Sequence, residues 1–438
     1  MEISHNDFKN HALMPVAGDE RVFCWREHAS LWFSLGVGLL VIQTGAYLVP
    51  AAGGRDATLA IVFGSLAGSG LLAWTAKLGC DSGLTSAGLM YAAYGSLFSR
   101  LPVLLNIAQL IGWTTFELVV MRDGTAAIVK RSFGLPLDGQ NALVAATLLW
   151  GAILTLLLAG SMTGLVRRII GRFGLPLVIA SLIWLTWQFG WQLKAGNFYK
   201  FWTRPGDGSM GLPAAMDLVI AMPVSWLPLV ADYSRHGRSG RGAMGGTWLG
   251  YAAANVWCYA LGVLVAGTAS PTADLVGTLL LAQGGLIALS LILVDEIDNA
   301  YGDIYSGAVS THSIKPSISV RQWGLGLAVL CAGLALVLPM RRLEPFLMLL
   351  SSVFVPLYGV ILGRLGSIKH SFMPQRRQVD LKAALLWMGG MAVYHSIGKW
   401  EPGWGAALPT LALTFILARL SRPKKAQGDK NDPSEINQ

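Results

Sequence analysis

Two short stretches of the chain combine residue types that can do chemistry with a spacing that brings them together. NIAQLIGWTTFELVV carries Gln109, Trp113 and Glu117. On a helix the i, i+4, i+8 spacing puts all three on one face. That face offers an aromatic platform between an amide and a carboxylate, a place to stack a flat ring and hydrogen-bond its edge. The second stretch, ALSLILVDEIDNAYGDIY, sets Asp295, Glu296, Asp298 and Asn299 at the end of an apolar run. Carboxylates this close repel one another unless a cation, a proton or a basic ligand neutralises them. Plainer readings stand beside these. Glu117 pairs with a base on a neighbouring helix, or the later acids, Asp298 and Asp303, lie past the helix end at the membrane interface.

The elements that must position these residues are membrane spans. Of 438 residues, 53% are hydrophobic and only 13% charged. The charged share is about half that of a soluble domain. Apolar runs near the ~20 residues needed to cross a hydrocarbon core recur along the chain. They predict an all-α membrane protein of about 12 helices, near 30–50, 57–78, 101–122, 141–164, 174–195, 213–232, 246–268, 276–300, 323–340, 344–364, 381–398 and 404–420. The net charge of +9 does not point to nucleic acid, because the basic residues sit in the gaps between apolar runs. With both termini cytoplasmic, roughly two thirds of the 33 Lys and Arg fall inside, among them Arg167, Arg168, Arg172, Arg235, Arg376 and Arg377. This orientation predicts a multi-pass protein of a bacterial-type inner membrane whose first span, not a cleavable signal, directs insertion. The cysteines, Cys24, Cys80, Cys258 and Cys331, have no ligand-like spacing and read as apolar fillers. Trp25, Trp32, Trp400 and Trp404 fall near span ends, as in interfacial belts, whereas Trp113 and Trp226 do not.

An inverted repeat is signalled by interrupted helices at matching positions in two halves. Span 1 holds Gly36, Gly38 and Gly45, and five spans later span 6 holds Pro223 and Pro228. The expected organisation is a cytoplasmic segment 1–29, a first repeat 30–196 (spans 1–5), a second repeat 213–366 (spans 6–10), spans 11 and 12 in 381–420, and a disordered cytoplasmic tail 421–438. Gly and Pro are also common in membrane helices without any repeat. Gln43, just after the glycine-loosened stretch, is either interhelical glue or a ligand contact.

QLIGW in span 3, PVSWLPLVADYSRHGR through span 6 and DNAYGDIYSGAVS leaving span 8 occur in this order. In that arrangement the chain resembles the nucleobase:cation symporter-1 family, permeases for cytosine, purines, allantoin, hydantoins and the hydroxymethylpyrimidine moiety of thiamine. The resemblance runs over spans 1 to 10 and implies a LeuT-like fold of five plus five helices with two more at the end. It implies that Trp113 stacks a heterocycle, that Glu117 contacts the ring, and that Gln43 and Gln109 match family glutamines. The break of span 6, Pro223, Val224, Ser225 and Trp226, would add an aromatic or backbone groups. Sodium-dependent members hold their ion on span 1 carbonyls, here near Leu39 and Ile42, and on a Ser/Thr pair of span 8. That pair is replaced by Asp295 and Glu296, so the four positions admit Na+ or, through the carboxylates, H+.

A carboxylate facing a stacked ring suits a ligand that presents donors or accepts a proton. Hydroxymethylpyrimidine, a 4-aminopyrimidine, does both, with Asn299 as a further contact. The expectation is therefore a symporter for that pyrimidine working as a monomer in the bilayer, with cytosine as the second candidate and an amino-acid or polyamine permease behind it. No catalytic residues or cofactor are expected. The seven His lie mostly in loops or near the termini, and no HExxH motif occurs.

Overall fold

The computed structural model describes residues 13–134, 140–159, 174–195, 198–268, 275–338, 343–366 and 378–421. The tail from 422 and the loop arginines Arg167, Arg168, Arg172, Arg376 and Arg377 lie outside the described residues. Helices dominate. Span 1 is Trp25–Ser34 plus Leu39–Ala52, span 2 Gly54–Ser82, span 3 Arg100–Phe133, span 4 Gln140–Ala159, span 5 Leu175–Ala195 and span 6 Leu212–Ser225 plus Leu227–Ser234. Span 7 is Gly240–Thr268, span 8 Gly285–Ile314, span 9 Val320–Val337, span 10 Leu343–Leu365, span 11 Leu381–Trp400 and span 12 Ala407–Leu420. Among the described residues seven spans are long and apolar enough to cross a membrane outright, and bent span 1 makes an eighth. Span 8 has the length, 30 residues, but carries Asp295, Glu296, Asp298 and Asp303.

The helices repeat with the expected five-plus-five symmetry. Span 1 packs on span 7 as span 6 packs on span 2. Spans 3 and 4 touch as spans 8 and 9 do, spans 3 and 9 as spans 8 and 4, while the pairs 2–7, 3–8 and 4–9 map onto themselves. Spans 10, 11 and 12 pack with one another. A short helix, Ser86–Tyr94, links spans 2 and 3. It follows a left-handed Gly83, φ 71°, which ends span 2, and it starts where the Thr85 side chain accepts from the Gly88 N–H at 2.9 Å.

Several expectations shift. Span 1 breaks with a bend of 62° between Ser34 and Leu39, in the stretch that holds Gly36 and Gly38, and of the three glycines only Gly45 lies outside the break. Gly45 is instead a packing residue, since a Cβ there would strike the carbonyl of Tyr259 on span 7. Two helices lacking a hydrophobic drive to associate in lipid gain most from such close backbone approach. Span 6 is interrupted at the single residue Trp226, between Pro223 and Pro228, without a sharp bend. Span 8 does not end at its acids but continues to Ile314, so the acids sit near its middle. Trp32, expected in an interfacial belt, is fully buried against Trp226, Tyr233 and Tyr251. Trp25, Trp400 and Trp404 are exposed.

Candidate functional site

Span 3 presents Gln109, Trp113 and Glu117 on one face, and all three are buried, at 2%, 6% and 3% exposure. Asn106, one turn earlier, extends that face. Its Nδ2 donates to the Pro228 carbonyl at 3.0 Å and to Ser310 Oγ at 3.2 Å. Gln109 Nε2 donates to Asn106 Oδ1 and to the Ser225 carbonyl, both at 3.0 Å. The interruption at Trp226 explains why the Ser225 carbonyl needs help. Pro228 has no N–H for the ladder, and beyond it the Leu229 N–H turns to the Trp226 carbonyl at 3.2 Å. The Ser225 carbonyl is thus left to the Gln109 amide. Pro223 and Val224 are buried in the first piece of span 6.

Trp113 is steadied by an aromatic group outside its own span. Phe346, in the first turn of span 10, meets the indole edge-to-face with centroids 5.3 Å apart and also packs on Phe116 at 5.2 Å. Trp226 packs edge-on to Trp32 at 5.9 Å.

On span 8 the acids separate by partner. Glu296, 1% exposed, accepts the N–H of Leu39, the first residue of the second piece of span 1. It also accepts from Asn299 Nδ2 at 3.3 Å. A carboxylate at a helix N-terminus meets the positive end of the helix dipole. Asn299 Nδ2 further donates to the Val37 carbonyl inside the break, at 3.1 Å. Room for this comes from Gly38, where a Cβ would sit 3.3 Å from Glu296 Oε1. Asp295 and Asp298 both take the Ser34 hydroxyl, at 3.2 and 3.3 Å. Asp303 and Glu296 are the acidic neighbours of Glu117 across the span 3–span 8 contact.

The structure therefore brings Gln109 together with Ser225, and Leu39 with Glu296 and Asn299. Leu39 enters through its N–H rather than its carbonyl. Ile42 is fully buried, its carbonyl packed close to Gly262 of span 7. Gln43 stands apart and is exposed. It shares a helix face with Tyr47, whose hydroxyl donates to Glu344 of span 10 at 2.8 Å. Among the described residues no group of three or more His, Cys, Asp and Glu is arranged to hold a metal ion.

Among the buried polar atoms without a hydrogen-bond partner are Gln109 Oε1, Trp113 Nε1 and Glu117 Oε2, on one face of span 3, and Asn299 Oδ1 on span 8. Buried polar groups are normally paired, so such a set marks a place that can take a ligand. It holds three acceptors and one donor, and the surrounding charges are acidic. Sequence reasoning missed Phe346 and Ser34, because neither an aromatic nor a serine in an apolar span carries a distinguishing signal. Asn106 was findable, as it stands at i−3 from Gln109 on the same face.

Comparison with known proteins adds a family and a fold. The model of the family described as permeases for cytosine/purines, uracil, thiamine and allantoin matches residues 15–401. No curated protein matches the chain. Among solved structures, Mhp1, a nucleobase-cation-symport-1 family transporter, in a closed conformation with bromovinylhydantoin bound, aligns with a TM-score of 0.71 at 16% identity, over 94% of this chain and 93% of that one. The inward-facing conformation of Mhp1 gives 0.72 at 14% identity, over 94% and 92%. MhsT in complex with L-phenylalanine gives 0.58 at 16%, over 90% and 96%. At these identities the structures speak to the fold, which is LeuT-like.

Proposed function

The chain belongs to the family of permeases for cytosine/purines, uracil, thiamine and allantoin, and from that membership we propose that it imports a pyrimidine, hydroxymethylpyrimidine, by symport with Na+ or H+. The observation that carries the choice of substrate is the acceptor-rich set of unpartnered buried atoms on spans 3 and 8. Uracil-type rings flank their N–H donors with two carbonyl acceptors, which would face the acceptor atoms of Gln109, Glu117 and Asn299. A 4-aminopyrimidine supplies an exocyclic N–H2 donor to Glu117, and its ring nitrogen takes up a proton or shares one with that carboxyl group. The ring stacks on Trp113 beside the break of span 6, and Gln43, exposed on span 1 in this structure, reaches its edge when span 1 rocks inward. Rocking of spans 1, 2, 6 and 7 against spans 3, 4, 8 and 9, biased by cation occupancy, then alternates access. The protein works as a monomer in a bacterial-type inner membrane with both termini cytoplasmic, an orientation supported by the excess of basic residues expected on that side.

The test is uptake of radiolabelled hydroxymethylpyrimidine into proteoliposomes, with cytosine, uracil, thiamine and putrescine as competitors and with sodium and proton gradients imposed separately. Saturable uptake, blocked by aminopyrimidines and lost in Trp113→Ala, is the expected result. Transport of cytosine in its place would move the substrate within the family, and transport of putrescine alone would overturn the stacking role of Trp113. Glu117→Gln should weaken an aminopyrimidine more than an oxo-pyrimidine, and equal weakening of both would remove Glu117 from the ring edge.

A further inference from the structure

The three buried carboxylates of span 8 that meet the break of span 1 do not have equal partners. Glu296 is provided for as an anion by the Leu39 N–H at a helix N-terminus and by the Asn299 amide. Asp295 and Asp298 have between them one donor, the Ser34 hydroxyl, which reaches Asp295 Oδ1 at 3.2 Å and Asp298 Oδ2 at 3.3 Å. A hydroxyl has a single hydrogen to give. Shared between two ionised carboxylates it gives only a weak three-centre bond and leaves their repulsion in place, whereas a proton on one aspartate, donated to Ser34 Oγ, frees the Ser34 hydrogen for a full bond to the other. Asp295 Oδ2, buried, has no partner at all. The groups facing the pair are Glu296 and Tyr301 on span 8, Cys258 on span 7 and Ser34 on span 1. No Lys, Arg or His among the described residues forms an ion pair with either aspartate.

We propose that Asp295, Asp298 and Ser34 form the coupling site, that the coupling ion is a proton, and that Glu296 is a structural anion that does not titrate during transport. A proton arriving on one aspartate makes it a carboxylic acid, which donates to Ser34 Oγ. The Ser34 O–H then donates to the other, ionised, aspartate. The chain acid–hydroxyl–carboxylate ties the N-terminal piece of span 1 to span 8. Release returns that proton to solvent and leaves two carboxylates sharing one donor, which repel and part. Proton occupancy thus sets whether this end of the span 1–span 8 contact is shut. The proposal rests on the transport reading only for what is carried, since the proton site itself needs no substrate.

The test has one arm without substrate. Infrared spectra of the purified protein in lipid, titrated with pH in H2O and D2O, should show the carbonyl stretch of one buried carboxylic acid lost in both Asp295→Asn and Asp298→Asn and unchanged in Glu296→Gln. In proteoliposomes the wild type should concentrate hydroxymethylpyrimidine on an imposed proton gradient and not on a sodium gradient. Asp298→Asn should keep substrate exchange in the absence of any gradient but lose gradient-driven accumulation, and Ser34→Ala should do the same more weakly. Thermal melting checks that each variant folds. Accumulation driven by sodium alone, or an acid band that disappears with Glu296→Gln and survives both aspartate variants, would overturn the assignment. Absence of any pyrimidine transport by the wild type, with the acid band behaving as expected, would sink the substrate and leave the proton site standing.

Discussion

The two ends of the contact between spans 1 and 6 and spans 3 and 8 are built differently. On the side of Trp25–Ser34 and Leu227–Ser234 the contact is zipped. Asp232 accepts from the Ser306 hydroxyl and from the Ser86 N–H (2.9 Å), Tyr233 donates to the Gly302 carbonyl (3.1 Å), Asn106 donates to Pro228, and Ser34 bridges two aspartates. Trp32 fills the space behind with Trp226 and Tyr233 around it. On the side of Leu39–Ala52, span 1 reaches spans 8 and 10 through Leu39 to Glu296 and Tyr47 to Glu344, while Gln43 and Tyr47 remain exposed. Among the described residues one end is closed by several polar bonds, most of them buried, and the other is held by few, one of them exposed. Such an asymmetry belongs to a transporter resting shut towards the side of its N-terminal piece and accessible from the opposite one.

Breaking the zipped end should have the largest effect. Asp232→Ala leaves the Ser86 N–H and the Ser306 hydroxyl unpaired inside the protein, a loss of about 3 kcal/mol. It should lower the melting temperature and expose a reporter thiol at Leu35→Cys, buried in the resting protein beside Gly302. If Leu35→Cys labels at the same rate with and without Asp232→Ala, the zipped end is not the closed gate. Glu296→Gln comes next, removing a charge from a buried helix N-terminus at a cost of up to about 2 kcal/mol. Its effect should be on stability and on substrate affinity through Asn299, with the proton-dependence of uptake retained. Tyr233→Phe deletes one bond to the Gly302 carbonyl and should shift the equilibrium by about 1 kcal/mol towards opening, read as a modest rise in Leu35→Cys labelling. Tyr47→Phe, at the sparsely held end, should change stability by less than about 0.5 kcal/mol. Gln43→Cys should already label fully in the resting protein. Protection of Gln43→Cys, or a large effect of Tyr47→Phe, would reverse the assignment of the two ends.

How much of this could be read from the residues differs with the kind of feature. The Gln109–Trp113–Glu117 face was legible because the helical period alone puts residues four apart in line, and no neighbour is needed to know it. The break in span 1 was legible as a region, from its glycines, but not as a position. Gly38 is extended, at φ −177°, a conformation any residue adopts. What requires glycine there is the carboxylate of Glu296 from another helix, and one sequence does not say which helix that will be. The same holds for Gly45, which is spent on the approach of Tyr259, and for Gln109, whose amide serves the Ser225 carbonyl.

By itself the sequence determined that the chain crosses a membrane many times, in two related halves, with a stacking face on span 3 and unusual acids on span 8. These follow from hydropathy, periodicity and the rarity of charge in spans, which are properties of a segment alone. Tertiary structure alone decided that the acids lie at mid-span, that Glu296 caps a helix while Asp295 and Asp298 share a serine, and that Phe346 stands on Trp113. The reason is physical. The state of a buried carboxylate depends on which donors other helices bring within about 3 Å of it, and a helix carries no record of its neighbours along its own length.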